Sequence, residues 1–133
     1  MKIVLDTNCL LASIPNKSPY RWLFDKFRKK RFTLCFTNEI LEEYYEILSS
    51  YYSKELADNV INEILNSPNI EQITVYYKWN LISVDPDDNK FVDCAISSNA
   101  SFIITNDRHF NVLKKVDFPK VNYLSIQEFK DKV

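Results

Sequence analysis

Two aspartates close two apolar, strand-like runs about a hundred residues apart: Ile3-Val4-Leu5 runs into Asp6, and Phe102-Ile103-Ile104 runs through Thr105 and Asn106 into Asp107. In an open parallel α/β sheet the carboxyl ends of the strands line the crevice where ligands bind, so strands that end this way can bring Asp6 and Asp107 together. Converging carboxylates suggest a divalent cation. Two of them about 4 Å apart repel by roughly 4 kcal/mol at an effective dielectric of about 20, and several such pairs rival the whole stability of a domain, about 5–15 kcal/mol. They must stay apart, take up protons or share a cation. A cation so held lowers the pKa of a bound water and offsets charge developing on a phosphate, which is the chemistry of hydrolytic phosphodiester cleavage.

Each acid also has a plainer reading. Asp6 follows a run of buried-type residues, where an unpaired carboxylate is costly to desolvate, yet it could simply cap or turn the chain that follows. Asp107 could cap a short helix beyond it. Asn8 points the same way as Asp6 and could orient a carboxylate or a water, while Thr105 and Asn106 add hydroxyl and amide groups at the other strand end. Glu43 sits among Ile40, Tyr44 and Ile47 at the edge of an apolar helix face, where a glutamate is often only a boundary residue. Asp87 and Asp88 suit a turn and an N-cap. Asp93 is harder to dismiss, since Phe91, Val92, Cys94, Ala95 and Ile96 surround it, and Asn89 shares its helix face one turn earlier.

The 133 residues contain no glycine, which excludes a P-loop, a dinucleotide-binding G-x-G-x-x-G turn and a G-x-S-x-G nucleophile elbow. One histidine, His109, and three cysteines without C-x-x-C spacing argue against a zinc site and leave oxygen ligands for Mg²⁺ or Mn²⁺. Cys9, Cys35 and Cys94 read as reduced, mostly buried thiols. A net charge of −1 does not by itself draw the chain to nucleic acid. One stretch differs: Arg21, Lys26, Arg28, Lys29, Lys30 and Arg31 interleave with Trp22, Phe24, Phe27 and Phe32. It is either a solvated helix face or a phosphate contact surface. No apolar run is long enough to span a membrane and no signal peptide is visible, so the cytoplasm is the expected compartment and residues 1–133 a single domain.

The elements that would position these residues alternate. Residues 2–5 predict a buried strand. Ser18-Pro19 opens a helix carrying Leu23, Phe24 and Phe27 to about Lys30. Phe32 to Phe36 is a second strand, and Thr37 or Asn38 caps a helix through Ile40, Leu41, Tyr44, Ile47 and Leu48. A third helix runs from about Ser53 to Leu65. Ile70 to Val84 suggests one or two short strands. Asp85-Pro86-Asp87-Asp88-Asn89 is turn chemistry before a helix from about Asn89 to Asn99. Phe102 to Thr105 is the next strand, a short helix lies near Phe110 to Lys114, and Val121 to Leu124 is a last strand. Ser125-Ile126-Gln127-Glu128 is a capping box for a C-terminal helix. The alternation implies an α/β class, a three-layer α/β/α sandwich around a mainly parallel sheet.

Four motifs in this order resemble the PIN-domain family of Mg²⁺-dependent ribonucleases, most closely the branch of VapC-like toxins. They are Asp6-Thr7-Asn8, Thr37 to Glu43, Asp85 to Ala95, and Ala100 to Asp107, and they span residues 1 to about 113. The resemblance implies a PIN-like fold in which Asp6, Glu43 and Asp107 are catalytic, metal-site acids. The remaining acid comes from the third motif, where Asp88 matches one form of the family pattern and Asp93 another, with a slight lean to Asp93. The family often has glycine before the last aspartate and before its strand, where this chain has Asn106 and Ser98-Asn99; asparagine tolerates positive φ better than most residues. The implied cofactor is Mg²⁺ or Mn²⁺ and the implied substrate RNA, in single strands or loops whose bases can splay onto aromatics. On this reading Arg21 to Arg31, with Lys26, Arg28 and Lys29 at its centre, becomes an RNA or antitoxin contact surface. The branch also implies a small antitoxin protein as partner and a homodimer as one assembly.

Other readings stay open. A solitary RNA-processing nuclease and a catalytically silent metal- or partner-binding module fit the same acids. A receiver-like module would need paired acids at the first strand and a well-placed late lysine, whereas Asn8 stands with Asp6 and Lys114 or Lys120 is poorly placed. A haloacid-dehalogenase-type phosphatase needs D-x-D, and position 8 is asparagine.

Overall fold

The computed structural model describes residues Met1–Val133. Its elements are β1 (Lys2–Leu5), α1 (Thr7–Ser13), α2 (Arg21–Arg28), β2 (Thr33–Phe36), α3 (Asn38–Tyr51), α4 (Lys54–Leu65), β3 (Ile70–Gln72), α5 (Asn89–Ser98), β4 (Phe102–Ile104), β5 (Tyr123–Leu124) and α6 (Ile126–Lys130). Two 3-10 helices, Pro86–Asp88 and Arg108–Lys115, flank the acidic motifs. The five strands form one sheet in the order β3-β2-β1-β4-β5, and every pairing is parallel. The sheet expected to be mainly parallel is wholly so.

Strand residues alternate between two covered faces. Leu34 packs with Leu10, Leu23, Phe27 and Ile64 on the side of α1, α2 and α4. The next residue, Cys35, lies against Ser98 and Cys94 of α5 on the other. Both faces being covered explains why β1 reads as a continuous apolar run rather than an alternating one. One core of 31 buried residues joins the layers, and all three cysteines are free and buried within it. No helix is long and apolar enough to cross a membrane.

The connections decide where a site can form. From β1 the chain moves to β2 and β3 on one side, while β4 and β5 lie on the other, so the order reverses at β1 and β4. The carboxyl ends of these two strands are therefore the switch-point crevice. Leu5 pairs with Ile104, which sets Asp6 beside Thr105.

Several local expectations shift. A helix begins directly after Asp6, although Thr7-Asn8-Cys9 has weak helix propensity; its buried face of Cys9, Leu10 and Ser13 supplies what propensity does not. Between Ile70 and Val84 only Ile70–Gln72 pairs as a strand, its last rung facing Phe36 at the end of β2, and further on Asn80 turns into the left-handed region at φ 54°. The helix after Pro19 starts at Arg21, with the Ser18 hydroxyl accepting from the Tyr20 amide at 3.1 Å. Asn99 adopts φ 56° and ends α5, as a residue in a glycine's place must. Asn106 has no positive φ, so that substitution asks nothing of the backbone.

Candidate functional site

Thr105 stands at the centre of the site. Its hydroxyl donates to Asp6 Oδ2 at 2.7 Å, and Thr105 Oγ1 in turn accepts the Asp107 amide at 3.0 Å. One side chain thus fixes both aspartates at adjacent strand ends. Asp6 occupies the N-cap position of α1 but makes no side-chain capping bond; its carboxylate turns to Thr105 instead. Asp107 caps the following 3-10 helix through the His109 amide at 2.9 Å, so its plainer role is real and coexists with its place in the crevice.

His109 extends the network. Its Nδ1 lies 3.2 Å from Asp88 Oδ2, 3.3 Å from Asp107 Oδ1 and 3.9 Å from Asp85 Oδ2. Asp85, Asp88 and His109 offer ligand atoms that all fall within 4.8 Å of one another. Glu43 enters from α3: it accepts from the Thr7 hydroxyl and pairs with Lys90 Nζ at 2.8 Å. The Tyr44 hydroxyl donates to Leu5 O and so ties α3 to the end of β1.

Electrostatics follow from this crowding. Asp6, only 6% exposed, is held above the usual carboxylate range by burial, with Asp107 and Glu43 pushing the same way against the Thr105 bond. Asp88, 8% exposed, is pushed up to about 6 by burial and by Asp107, against its bond to His109. Unit charges separated by 4.8 Å repel by about 3 kcal/mol at an effective dielectric of about 20. Asp6, Glu43, Asp85, Asp88 and Asp107 face only the Lys90 ammonium and the His109 imidazole within the network. A cluster with this excess of oxygen acids and one imidazole fits a hard divalent cation such as Mg²⁺ or Mn²⁺. Burial pushes the neighbouring Cys9 thiol up to about 12, so it remains protonated beside the acids.

Asp93 stands apart. Five positions on a helix rotate a side chain by about 140°, so Asp93 and Asp88 leave the start of α5 in different directions. Asp93 Oδ1 accepts the Trp79 amide at 3.1 Å and lines a separate cleft of about 210 Å³ with Thr37, Glu39, Lys78 and Lys90. Asn89, one turn earlier on the same face, bonds both the amide and the carbonyl of Ile82, at 2.9 and 2.8 Å. Together the two residues fasten the extended segment 73–85 to α5.

The remaining expected residues divide. Asn8 is exposed and lines a cleft of about 250 Å³ with Asp6, Cys9, Asn106 and Asp107. Asn106 Oδ1 accepts the Ile126 amide at 3.2 Å and so holds the start of α6. Lys26, Arg28 and Lys29 lie at the end of α2, which feeds the start of β2, where Thr33 bonds Met1 O. They therefore sit at the amino edge of the sheet, about 13 Å of strand away from the acids. Arg28 is also engaged by Glu63 through two bonds of 2.5 and 2.9 Å. The structure adds Asp85 and His109 to the acids that the sequence brings to the site. The i, i+2 spacing of Asp107 and His109 is the one feature of the sequence that could have found His109.

An open parallel sheet with an acidic crevice at its switch point defines a class of α/β proteins that work on ligands at strand ends. The comparisons narrow it: the PIN domain family model matches residues 2–109, and the chain belongs to that family of nucleases. Its fold is that of VapBC2 from Rickettsia felis, solved bound to a DNA fragment from the promoter, with a TM-score of 0.65 at 21% identity over 94% of this chain and 98% of that one. It is equally that of DNA-bound VapBC from Salmonella typhimurium, with a TM-score of 0.64 at 18% identity over 95% and 98%. The PIN domain endonuclease Utp24 follows with a TM-score of 0.53 at 16% identity over 93% and 84%. No curated protein matches the chain.

Proposed function

We propose that the chain is a divalent-metal-dependent endoribonuclease whose Asp6, Glu43, Asp88 and Asp107 hold Mg²⁺ or Mn²⁺, and that it is the toxin of a toxin–antitoxin pair. The observation that carries the reading is the gathering of acids at the β1/β4 switch point, Asp6 and Asp88 buried and the others half-buried, joined through Thr105 and His109 with Lys90 the one ammonium paired among them. A divalent cation bound there would supply a water of lowered pKa and offset charge on the scissile phosphate. The chain's own groups prepare that chemistry. Thr105 orients Asp6, the Thr7 hydroxyl and Lys90 orient Glu43, and the His109 amide fixes Asp107. Asp88 is preferred to Asp93 as the fourth acid because it faces Asp107 while Asp93 faces the Trp79 amide. Likeness to chains of VapBC complexes supports a small antitoxin protein as partner, one that covers the acidic crevice.

The test is cleavage of an end-labelled single-stranded RNA. The reading expects cutting with Mg²⁺ or Mn²⁺, none in EDTA, and no 2′,3′-cyclic phosphate on the products, because water and not the 2′-hydroxyl attacks. Metal-independent cutting that leaves cyclic phosphates contradicts it. For the toxin assignment, expression in a bacterial host should arrest growth, and Asp107→Asn should relieve the arrest.

A further inference from the structure

Segment 73–85 and the loop after the second 3-10 helix carry rings that the core does not use. Tyr76 is 92% exposed, Tyr77 63% and Phe118 83%. Scattered exposed rings are ordinary on a protein surface. These are not scattered: Tyr77 meets Trp79 edge-on at 4.6 Å, and Trp79 meets Phe118 edge-on at 6.2 Å, although they come from parts of the chain about forty residues apart. Both segments also adjoin acids of the crevice. Residues 76–79 lead into Asp85 and Asp88, and Phe118 follows the 3-10 helix that begins beside Asp107.

The cluster is held firmly on one side. The Trp79 amide donates to Asp93 Oδ1 at 3.1 Å, and Asp93 lies five residues, or about 7.5 Å of rise, along α5 from Asp88. Charge separates the candidate occupants. Stretches 76–79 and 114–120 contain four lysines, Lys78, Lys114, Lys115 and Lys120, against Asp117 alone, in a chain whose net charge is −1. Segments that pair exposed rings with an excess of lysine suit bases on a phosphate backbone, and aromatic stacking tolerates any base because every base presents a π-face.

We propose that Tyr77, Trp79 and Phe118 form a platform on which bases of single-stranded RNA stack, a few nucleotides from the bond held at the acids. This rests on the nuclease reading above. Asp93 becomes a positioning residue, which accounts for a buried acid in the third motif that the metal site leaves out.

Trp22→Phe leaves Trp79 as the sole tryptophan. In an Asp107→Asn background, which should prevent cleavage, this variant is titrated with an unpaired oligoribonucleotide of roughly 12 adenosines and cytidines. Saturable quenching of Trp79 is expected, and Phe118→Ala and Tyr77→Ala should each weaken binding about fivefold or more, the effect of losing one stacked base. Both replaced side chains are exposed, so the melting temperature should stay put. Absence of quenching, or an affinity unchanged by Phe118→Ala, overturns the platform and leaves the rings to a protein partner. Ring-dependent binding without metal-dependent cleavage by the wild type would keep the platform and sink the nuclease reading.

Discussion

At the residue scale the chemistry of the crevice depends on which acids are forced together. Asp6 and Asp107 were legible as a pair because each ends an apolar run, and strand ends converge in a parallel sheet. Asp85 and His109 were not legible. Their approach depends on a 3-10 turn, Pro86–Asp88, whose tight pitch no periodic pattern announces. Nor could the sequence place Asp93, since only the amide of an extended segment tells which way it faces. The raised pKa of Asp88, about 6 against 3.8, has a definite sign. Between those values the folded state binds more protons than the unfolded one, so this group's contribution to metal-free stability falls as pH rises through the window. In EDTA, Asp88→Asn should therefore raise the melting temperature at pH 7 by more than at pH 4.5; an equal shift at both contradicts the assignment. For the same reason Mn²⁺ affinity of the wild type should climb from pH 5 to pH 7, read by calorimetric titration.

At the scale of elements, helix caps were the most legible features. Thr37, Ser53 and Ser125 each accept the amide three residues on, and Ser125 with Glu128 completes the capping box. α1 is not legible because it is only seven residues long and opens on Thr7-Asn8-Cys9, of weak propensity, so that burial stabilises it, which only packing reveals. The basic stretch at the end of α2 was legible as composition, but which edge of the sheet it occupies follows only from the connection into β2. α3 carries Glu43, and two bonds set it: the Thr37 cap and the Tyr44 hydroxyl on Leu5 O. Thr37→Ala should cost about 1 kcal/mol of stability in urea unfolding. Tyr44→Phe leaves a buried carbonyl at the end of β1 without that donor and should cost about 1–3 kcal/mol. If Tyr44→Phe unfolds at the wild-type midpoint, the hydroxyl does not join α3 to the strand.

At the scale of the whole molecule the parallel order β3-β2-β1-β4-β5 makes one crevice, and the acids fill it. Helix-strand alternation made the α/β/α layering legible, whereas the exact order of strands was not. A cation bound only by the folded state stabilises by about 2.7 kcal/mol at a hundredfold excess over its Kd. Mn²⁺ should thus raise the melting temperature on the order of 10 °C, EDTA should reverse the rise, and Asp6→Asn should lose most of it. Identical melts with and without Mn²⁺ contradict the metal site. The most direct test is the single-turnover rate of RNA cleavage in Mn²⁺ for the wild type, Asp107→Asn, Asp88→Asn and Asp93→Asn. Asp107→Asn and Asp88→Asn should each lose about a hundredfold or more, as when one charge-stabilising group is removed. Asp93→Asn, which keeps the oxygen that accepts the Trp79 amide, should stay within a few-fold of wild type. Cleavage that survives Asp107→Asn, or that Asp93→Asn abolishes while Asp88→Asn spares it, would contradict the site described.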